Sequence, residues 1–208
     1  MKCWRCEGSG SISVESDTGI GWVTHICPVC HGKGEQTISK QDVVILVDIQ
    51  NGFRNKFTNP VISELVSFLR NYNFEKVIAT KFINYKGSKF EKQLDFSDMQ
   101  FKDEQNLVPE IIPYVSAIYL KDTYNCPTQG FLEQLRIINL GVLPERVLIA
   151  GFDTDACVLS IAINLFDNGI KPYLLADFVA SSVGLENHRS GLLIAETMFG
   201  MDSIIRLG

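Results

Sequence analysis

Short aliphatic runs alternate with amphipathic segments over residues 43–208, and this alternation constrains the fold more than any other feature of the chain. Five consecutive aliphatic residues at 43–47 are typical of a strand that is buried on both faces of a parallel sheet. Further strands are predicted at 76–80, 117–120, 146–150, 172–176 and 203–206. Helices are predicted to begin at Asn59 and to span about 129–139, 155–168 and 186–199. Strands that alternate with helices predict a mostly parallel sheet covered on both faces.

The chain divides near residue 40, where a polar segment separates two kinds of sequence. Residues 1–40 are rich in glycine and carry no sustained apolar run, so they predict a small unit with its linker. Residues 41–208 predict an α/β domain, a three-layer αβα sandwich around a Rossmann-like sheet of about six strands. The net charge of -5 does not favour binding to nucleic acid. No apolar segment is long enough for a membrane span or a secretory signal, which predicts a cytoplasmic protein.

Three reactive side chains follow predicted strands, at the edge of a parallel sheet where binding sites lie. Asp48 and Lys121 each come directly after a strand, and Cys157 opens a helix after the turn at 151–156. The N–H groups of a helix N-terminus lower the pKa of a thiol and can stabilise an oxyanion. Asp48 could take the thiol proton, and Lys121 could stabilise both anions. Cys157 alone could equally be a packing residue, but the shared location of the three favours catalysis.

Short motifs at these strand ends occur in the order found in one known family. They are Asp48-Ile49-Gln50-Asn51-Gly52-Phe53, Leu120-Lys121, Gly151-Phe152-Asp153-Thr154-Asp155-Ala156-Cys157-Val158, Ala180-Ser181-Ser182 and Glu186-Asn187-His188. Through these motifs, residues 43–208 resemble the isochorismatase-like cysteine hydrolases. The resemblance implies a catalytic triad of Asp48, Lys121 and Cys157. It also implies an oxyanion hole from the N–H groups of Asp153 and Cys157, a cis peptide at Phe152–Asp153, and a substrate pocket that includes Gln50, Phe53 and Phe152.

The implied reaction is hydrolysis of a C–N bond in a small amide, carbamoyl or ureido substrate, through a thioester on the cysteine. Nicotinamidases of this family hold a metal with an Asp-x-His pair after the second strand, and here those positions are Phe82 and Asn84. We therefore expect no metal in the active site, and we interpret Lys81 and Asn84 as solvated loop residues. His188 is expected to be structural. The family habit implies a homo-oligomer, either a dimer or a tetramer.

Four cysteines near the N-terminus form two closely similar motifs. Cys3-x2-Cys6 and Cys27-x2-Cys30 have the spacing of a four-thiolate zinc site, and each continues as Cys-x-Gly-x-Gly. The repeat resembles the zinc-binding repeats of DnaJ-type cochaperones. Four thiolates fill a tetrahedral shell, so the zinc is expected to be structural, and a redox role is the weaker alternative. The knuckle could contact a protein partner, which leaves an alternative function: an interaction protein with a hydrolase-like scaffold or ligand-sensing domain.

Metal analysis of the purified chain should find about one zinc per chain. The double substitution Cys3→Ser with Cys27→Ser removes one thiolate from each pair, so the metal should be lost. Cys157→Ala removes a cysteine outside the repeat and should retain the zinc. Zinc that persists in the double variant would refute the assignment.

Overall fold

A computed structural model describes residues 9–16, 21–26 and 38–207. Within the first two ranges, strand β1 (Ser11–Glu15) pairs antiparallel with β2 (Trp22–Ile26). The predicted zinc ligands Cys3, Cys6, Cys27 and Cys30 lie outside the described residues, so the zinc site remains a prediction. Among the described residues, no helix combines the length and the apolar character that crossing a membrane requires.

The larger part is built on a parallel six-stranded sheet with the strand order β5-β4-β3-β6-β7-β8. The strands are β3 (Val43–Val47), β4 (Lys76–Phe82), β5 (Ala117–Lys121), β6 (Arg146–Phe152), β7 (Lys171–Ala180) and β8 (Ile204–Ile205). Every residue of the central strand β3 is buried, as its continuous aliphatic run predicts. The predicted α/β fold with six strands is confirmed.

Helices cover both faces of the sheet and enclose an apolar core on each side. The covering helices are α1 (Asn59–Tyr72), α4 (Thr128–Ile138), α5 (Leu159–Asp167) and α6 (Leu185–Phe199). The short helices α2 (Lys89–Leu94) and α3 (Lys102–Gln105) lie in the connection between β4 and β5. Successive side chains of a strand point to opposite faces, so Ile45 packs with α4, α5 and α6, whereas Leu46 packs with α1. This arrangement gives the three layers predicted from the sequence.

Two segments depart from the sequence prediction. The polar and aromatic stretch 84–106, for which no element was predicted, contains the short helices α2 and α3. Strand β7 continues to Ala180, four residues beyond the predicted end at residue 176. Asp177 interrupts the apolar pattern of this strand, but its carboxylate accepts a hydrogen bond of 2.6 Å from the N–H of Leu207. A polar residue is therefore accommodated without ending the strand.

At Gly151 the backbone of β6 lies close to that of β3. A Cβ atom at this position would lie 2.1 Å from the carbonyl oxygen of Val47, and the residue has φ +118°. Only glycine fits such a close approach of two backbones. The β6–β7 register shifts between Ile149 and Gly151, just before the loop that carries the site. Gly151 thus allows the end of β6 to stay paired with β3 next to Asp48.

Replacing Gly151 by alanine should destabilise the fold far more than a matched change at Gly141. Both glycines have positive φ, but a Cβ at Gly141 would meet no heavy atom within 4 Å. Gly141→Ala should therefore cost only the backbone term of about 1–2 kcal/mol. Gly151→Ala must also separate β3 from β6, so we expect a loss of at least about 4 kcal/mol, or no folded protein. Urea denaturation measures both, and equal losses would contradict the close-approach argument.

Candidate active site

The structure brings Asp48, Lys121 and Cys157 together at the carboxyl edge of the sheet. Lys121 is the last residue of β5, and its Nζ lies 2.6 Å from Oδ2 of Asp48, with both side chains fully buried. The same ammonium group donates hydrogen bonds to Sγ of Cys157 at 3.3 Å and to the carbonyl oxygen of Thr123 at 2.9 Å. The buried ammonium group at the end of β5 therefore contacts side chains that follow two other strands, β3 and β6.

Asp48 is held by Thr80, a residue that the sequence interpretation missed. Oγ1 of Thr80 donates to Oδ1 of Asp48 at 2.7 Å and accepts from the N–H of Asp48 at 3.1 Å. Asp48 has φ 48°, a left-handed conformation that non-glycine residues rarely adopt and that occurs at functional sites. The available signal was a single hydroxyl among the apolar residues of β4, on the strand between β3 and β5.

Cys157 lies in a single π-helical turn, Thr154–Val158, which precedes α5. Such turns are uncommon in proteins, and those that occur are often found at functional sites. The turn follows a cis peptide bond between Phe152 and Asp153, as the family resemblance implied. The carbonyl oxygen of Asp153 accepts from the N–H of Val158 at 3.0 Å, which closes the turn around the cysteine. The helix predicted at 155–168 is therefore two elements, and Cys157 lies in the first.

Helix α6 packs directly on this turn. Nδ1 of His188 lies 2.9 Å from Oγ1 of Thr154, a contact that agrees with the structural role expected for this histidine. Nδ2 of Asn187 donates to Oδ2 of Asp155 at 2.9 Å. A Cβ at Gly191 would lie 2.8 Å from the backbone nitrogen of Asp155, so the helix and the turn are in backbone contact. These contacts fix the position of the turn from behind.

The carboxylate of Asp153 is clamped by a single serine. Ser182 donates its N–H to Oδ1 at 2.6 Å and its hydroxyl to Oδ2 at 2.8 Å. Burial raises the pKa of Asp153, and the two hydrogen bonds from Ser182 oppose that rise. Asp153 and Cys157, which the resemblance assigns to the oxyanion hole, line the same cavity.

The charges of the site favour a neutral thiol beside an ammonium–carboxylate pair. Burial raises the pKa of Cys157 and the carboxylate of Asp48 raises it further, while the ammonium of Lys121 lowers it. Burial lowers the pKa of Lys121, but the negative charge and the hydrogen bond of Asp48, with a further contribution from Cys157 when it is ionised, outweigh that effect, so the pKa lies above its ordinary value. The Asp48 carboxylate and the Cys157 sulfur contact the same ammonium group, at 2.6 and 3.3 Å. A carboxylate and a thiol held on one cation are the groups that a proton transfer from sulfur would use.

A cavity of about 520 Å³ opens onto Cys157. One part of its lining is aromatic or aliphatic, and another part is polar or acidic. The principal lining residues are Phe53, Phe82, Phe90, Leu94, Phe96, Tyr124 and Val183 on the apolar side and Asn55, Asp98, Asp153, Asp155 and Ser182 on the polar side. The cavity places a ligand directly beside the thiol.

Of the three predicted pocket residues, only Phe53 lines this cavity. Gln50 and Phe152, which the resemblance also assigned to the pocket, are fully buried and do not line this cavity. The side chain of Gln50 accepts from the N–H of Phe82 at 2.7 Å and donates to the carbonyl oxygens of Phe82 and Gln105 at 2.9 and 2.8 Å. It ties the end of β4 to the loop that follows α3. Phe152 packs in the core on the α1 side of the sheet.

Positions 82 and 84, which align with the metal ligands of nicotinamidases, do not fit a metal here. Phe82 has no donor atom, and its ring centroid lies 5.3 Å from Nζ of Lys121. Asn84 is only 1% exposed, so its interpretation as a solvated loop residue was wrong. Its Nδ2 donates to the carbonyl oxygens of Phe96 and Asp98, and its Oδ1 accepts from the N–H of Tyr85 and the hydroxyl of Ser88. The amide is fully engaged in organising the loop.

A comparison with protein-family models matches residues 42–201 to the isochorismatase domain. Fold and site together define an isochorismatase-like hydrolase. The chain belongs to the isochorismatase family. A comparison with curated proteins finds no match.

Solved structures share this fold at low sequence identity. A pyrazinamidase of Pyrococcus horikoshii in complex with zinc is 19% identical, with a TM-score of 0.63, covering 80% of this chain and 98% of that one. A pyrazinamidase/nicotinamidase from Streptococcus mutans is 20% identical, with a TM-score of 0.65, covering 79% and 99%. An isochorismatase-like hydrolase from Alkaliphilus metalliredigens is 18% identical, with a TM-score of 0.62, covering 76% and 91%.

Alkylation of Cys157 by iodoacetamide should respond in opposite directions to its two charged neighbours. The thiolate is the reactive form. Asp48→Asn removes a charge that raises the thiol pKa, so the alkylation profile should move to lower pH and the rate at pH 7 should rise about tenfold. Lys121→Met removes a charge that lowers the pKa, so the rate should fall about tenfold.

Peptide-resolved mass spectrometry measures the rate at Cys157 alone, with buried Cys126 as the internal control. Burial raises the pKa of Cys126, so it should stay unlabelled in the folded protein. Rate changes of the same sign in both variants would contradict the charge arrangement.

Proposed function

We propose that this chain is a cysteine-dependent hydrolase that cleaves the C–N bond of a small amide, carbamoyl or ureido substrate. The observation that carries the proposal is the buried ammonium of Lys121, which lies 2.6 Å from the Asp48 carboxylate and 3.3 Å from the Cys157 sulfur. One cation thus contacts both a base and a nucleophile, and the nucleophile lines a cavity. A packing cysteine would need neither charged neighbour.

In the first stage, Asp48 takes the proton from Cys157 and the thiolate attacks the substrate carbonyl carbon. The ammonium of Lys121 stabilises the thiolate as it forms. The N–H groups of Asp153 and Cys157 would stabilise the oxyanion of the tetrahedral intermediate. The C–N bond then breaks, the amine leaves with the proton from Asp48, and the acyl group remains on sulfur as a thioester.

In the second stage, Asp48 takes a proton from water, and the resulting nucleophile attacks the thioester carbon. The C–S bond breaks, the carboxylic acid leaves, and the thiol regains its proton. The amide and one water thus become an amine and a carboxylic acid, and no redox partner is needed. Similar structures named as pyrazinamidases and nicotinamidases support an amide as the substrate.

A second candidate function is an interaction protein in which the hydrolase-like domain serves as a scaffold or ligand sensor. One observation favours it: Trp22 and Ile26 on β2 are 74% and 73% exposed, so the N-terminal segment offers apolar contact surface. The buried charges around Cys157 favour the enzyme, because a scaffold needs no ion pair beside its thiol.

Screening of small amides and ureides for ammonia release should identify substrates whose turnover depends on Cys157. Cys157→Ala should abolish turnover, and Asp48→Asn should lower kcat by at least about 10³-fold, because the proton acceptor is lost. Cys126→Ala, the matched change at the other described cysteine, should keep most of the activity. Quenched reactions of the wild type should contain an acyl adduct on Cys157 by mass spectrometry.

Equal turnover by the wild type and Cys157→Ala would disprove the thiol mechanism. Failure of every substrate to form an adduct, together with a partner retained through residues 1–40, would favour the interaction protein.

A further inference from the structure

The composition of the cavity next to Cys157 defines the chemistry of its ligand. We propose that the cavity selects amides whose acyl group is a flat apolar ring bearing a neutral or cationic substituent, and that it excludes anionic ones. The inference rests on the proposed function for the position of the amide, and on the cavity lining for the rest of the molecule.

An aromatic wall faces the space in front of the thiol. Phe82 at the end of β4 packs edge-on against Phe90 of α2, with ring centroids 4.8 Å apart. Phe90 in turn meets Tyr124 at 4.9 Å and Phe96 at 6.5 Å. Phe53 adds a fifth ring, 6.4 Å from Phe82. Rings in contact with one another are held in place, so they present a preformed apolar surface on which a flat group can stack.

The loops that carry these rings are anchored by buried polar side chains. Asn84 holds the carbonyl oxygens of Phe96 and Asp98, and Gln50 holds the carbonyl oxygen of Gln105. Met99 is fully buried behind the wall and fills the space beside Gly52, where a Cβ would lie 2.1 Å from its sulfur. The wall is therefore a built part of the fold, and a ligand need not order it on binding.

The ionisable side chains that line the cavity, other than the nucleophile, are Tyr124 and three acids. The acids are Asp98, Asp153 and Asp155, and no Lys, Arg or His is present among the described lining residues. Lys121 lies behind the thiol, fully buried against Asp48, so it does not offer a free positive charge to a ligand. A carboxylate on the substrate would face like charges without a counter-ion, which disfavours binding.

The acidic side of the cavity favours a cationic substituent. Asp98 is exposed, whereas Asp155 accepts from Asn187 through Oδ2 and has its Oδ1 buried. Ammonium and guanidinium groups pair with carboxylates and also interact favourably with aromatic faces. The acidic and aromatic sides thus favour the same substituent.

The test uses four amides of similar size: benzamide, 3-(aminomethyl)benzamide, 3-carboxybenzamide and cyclohexanecarboxamide. We expect kcat/KM to rank the cationic and neutral benzamides at least about tenfold above the anionic one, and benzamide several-fold above its saturated counterpart. Phe90→Leu stays apolar but removes the ring, so it should reduce the preference for benzamide over cyclohexanecarboxamide. Asp98→Asn removes one carboxylate, so it should reduce the preference for the cationic and neutral benzamides over 3-carboxybenzamide.

Dissociation constants of the same four amides, measured by calorimetry on Cys157→Ala, separate this inference from the proposed function. The expected order of affinities without any Cys157-dependent turnover would support the ligand class and refute the hydrolase. Cys157-dependent turnover that prefers the anionic or the saturated amide would refute the ligand class and support the hydrolase. An unchanged preference in both Phe90→Leu and Asp98→Asn would also overturn the role assigned to the cavity wall.

Discussion

The buried ion pair between Asp48 and Lys121 is the constraint on which the rest of the site depends. Both side chains are fully buried, and an uncompensated charge in such a place would be costly. The pair is formed by residues at the ends of β3 and β5, with β4 between them, so it can exist only if these strands end at the same level. Thr80 of β4 fills the gap with two hydrogen bonds to Asp48. Once this pair is formed, the ammonium of Lys121 also reaches Cys157, and the chemistry of the thiol follows from the geometry of the sheet.

Cys157 is positioned by contacts that lie outside the ion pair. Gly151 lets β6 approach β3, and the π-helical turn that follows places Cys157 beside Lys121. Helix α6 packs against the turn through Gly191 and His188. The turn is thus held from the sheet on one side and from a helix on the other, so the distance between sulfur and ammonium depends on packing outside the cavity.

Much of this arrangement could be predicted from local sequence, because the signals were local. Aliphatic runs identify strands, and the residue after a run lies at the sheet edge, which identifies Asp48 and Lys121. Cys157 was identified by its place at the start of the helix that follows the turn after a third run. Gln50, Thr80 and Asn84 could not be assigned in this way, because polar residues near strand ends look alike whether they face water or a buried backbone. Gln50 and Asn84 bind carbonyl oxygens of residues 105, 96 and 98, and such long-range partners leave no mark in the spacing of the sequence. The short helices α2 and α3 were not predicted, because the apolar residues of 84–106 do not recur at helical spacing.

The end of β4 explains how a shared fold can acquire a different pocket. Phe82 and Asn84 occupy positions that align with metal ligands in the nicotinamidases that this chain resembles. Phe82 places a ring beside Lys121 and forms the first part of the aromatic wall. The amide of Asn84 donates hydrogen bonds to the loop that carries Phe96 and Asp98. In the proposed enzyme, the aromatic wall and the acidic side of the cavity would orient the substrate in place of a metal. The ion pair of Asp48 and Lys121 takes no hydrogen bond from Phe82 or Asn84, so the lining of the pocket and the proposed chemistry at the thiol rest on different residues.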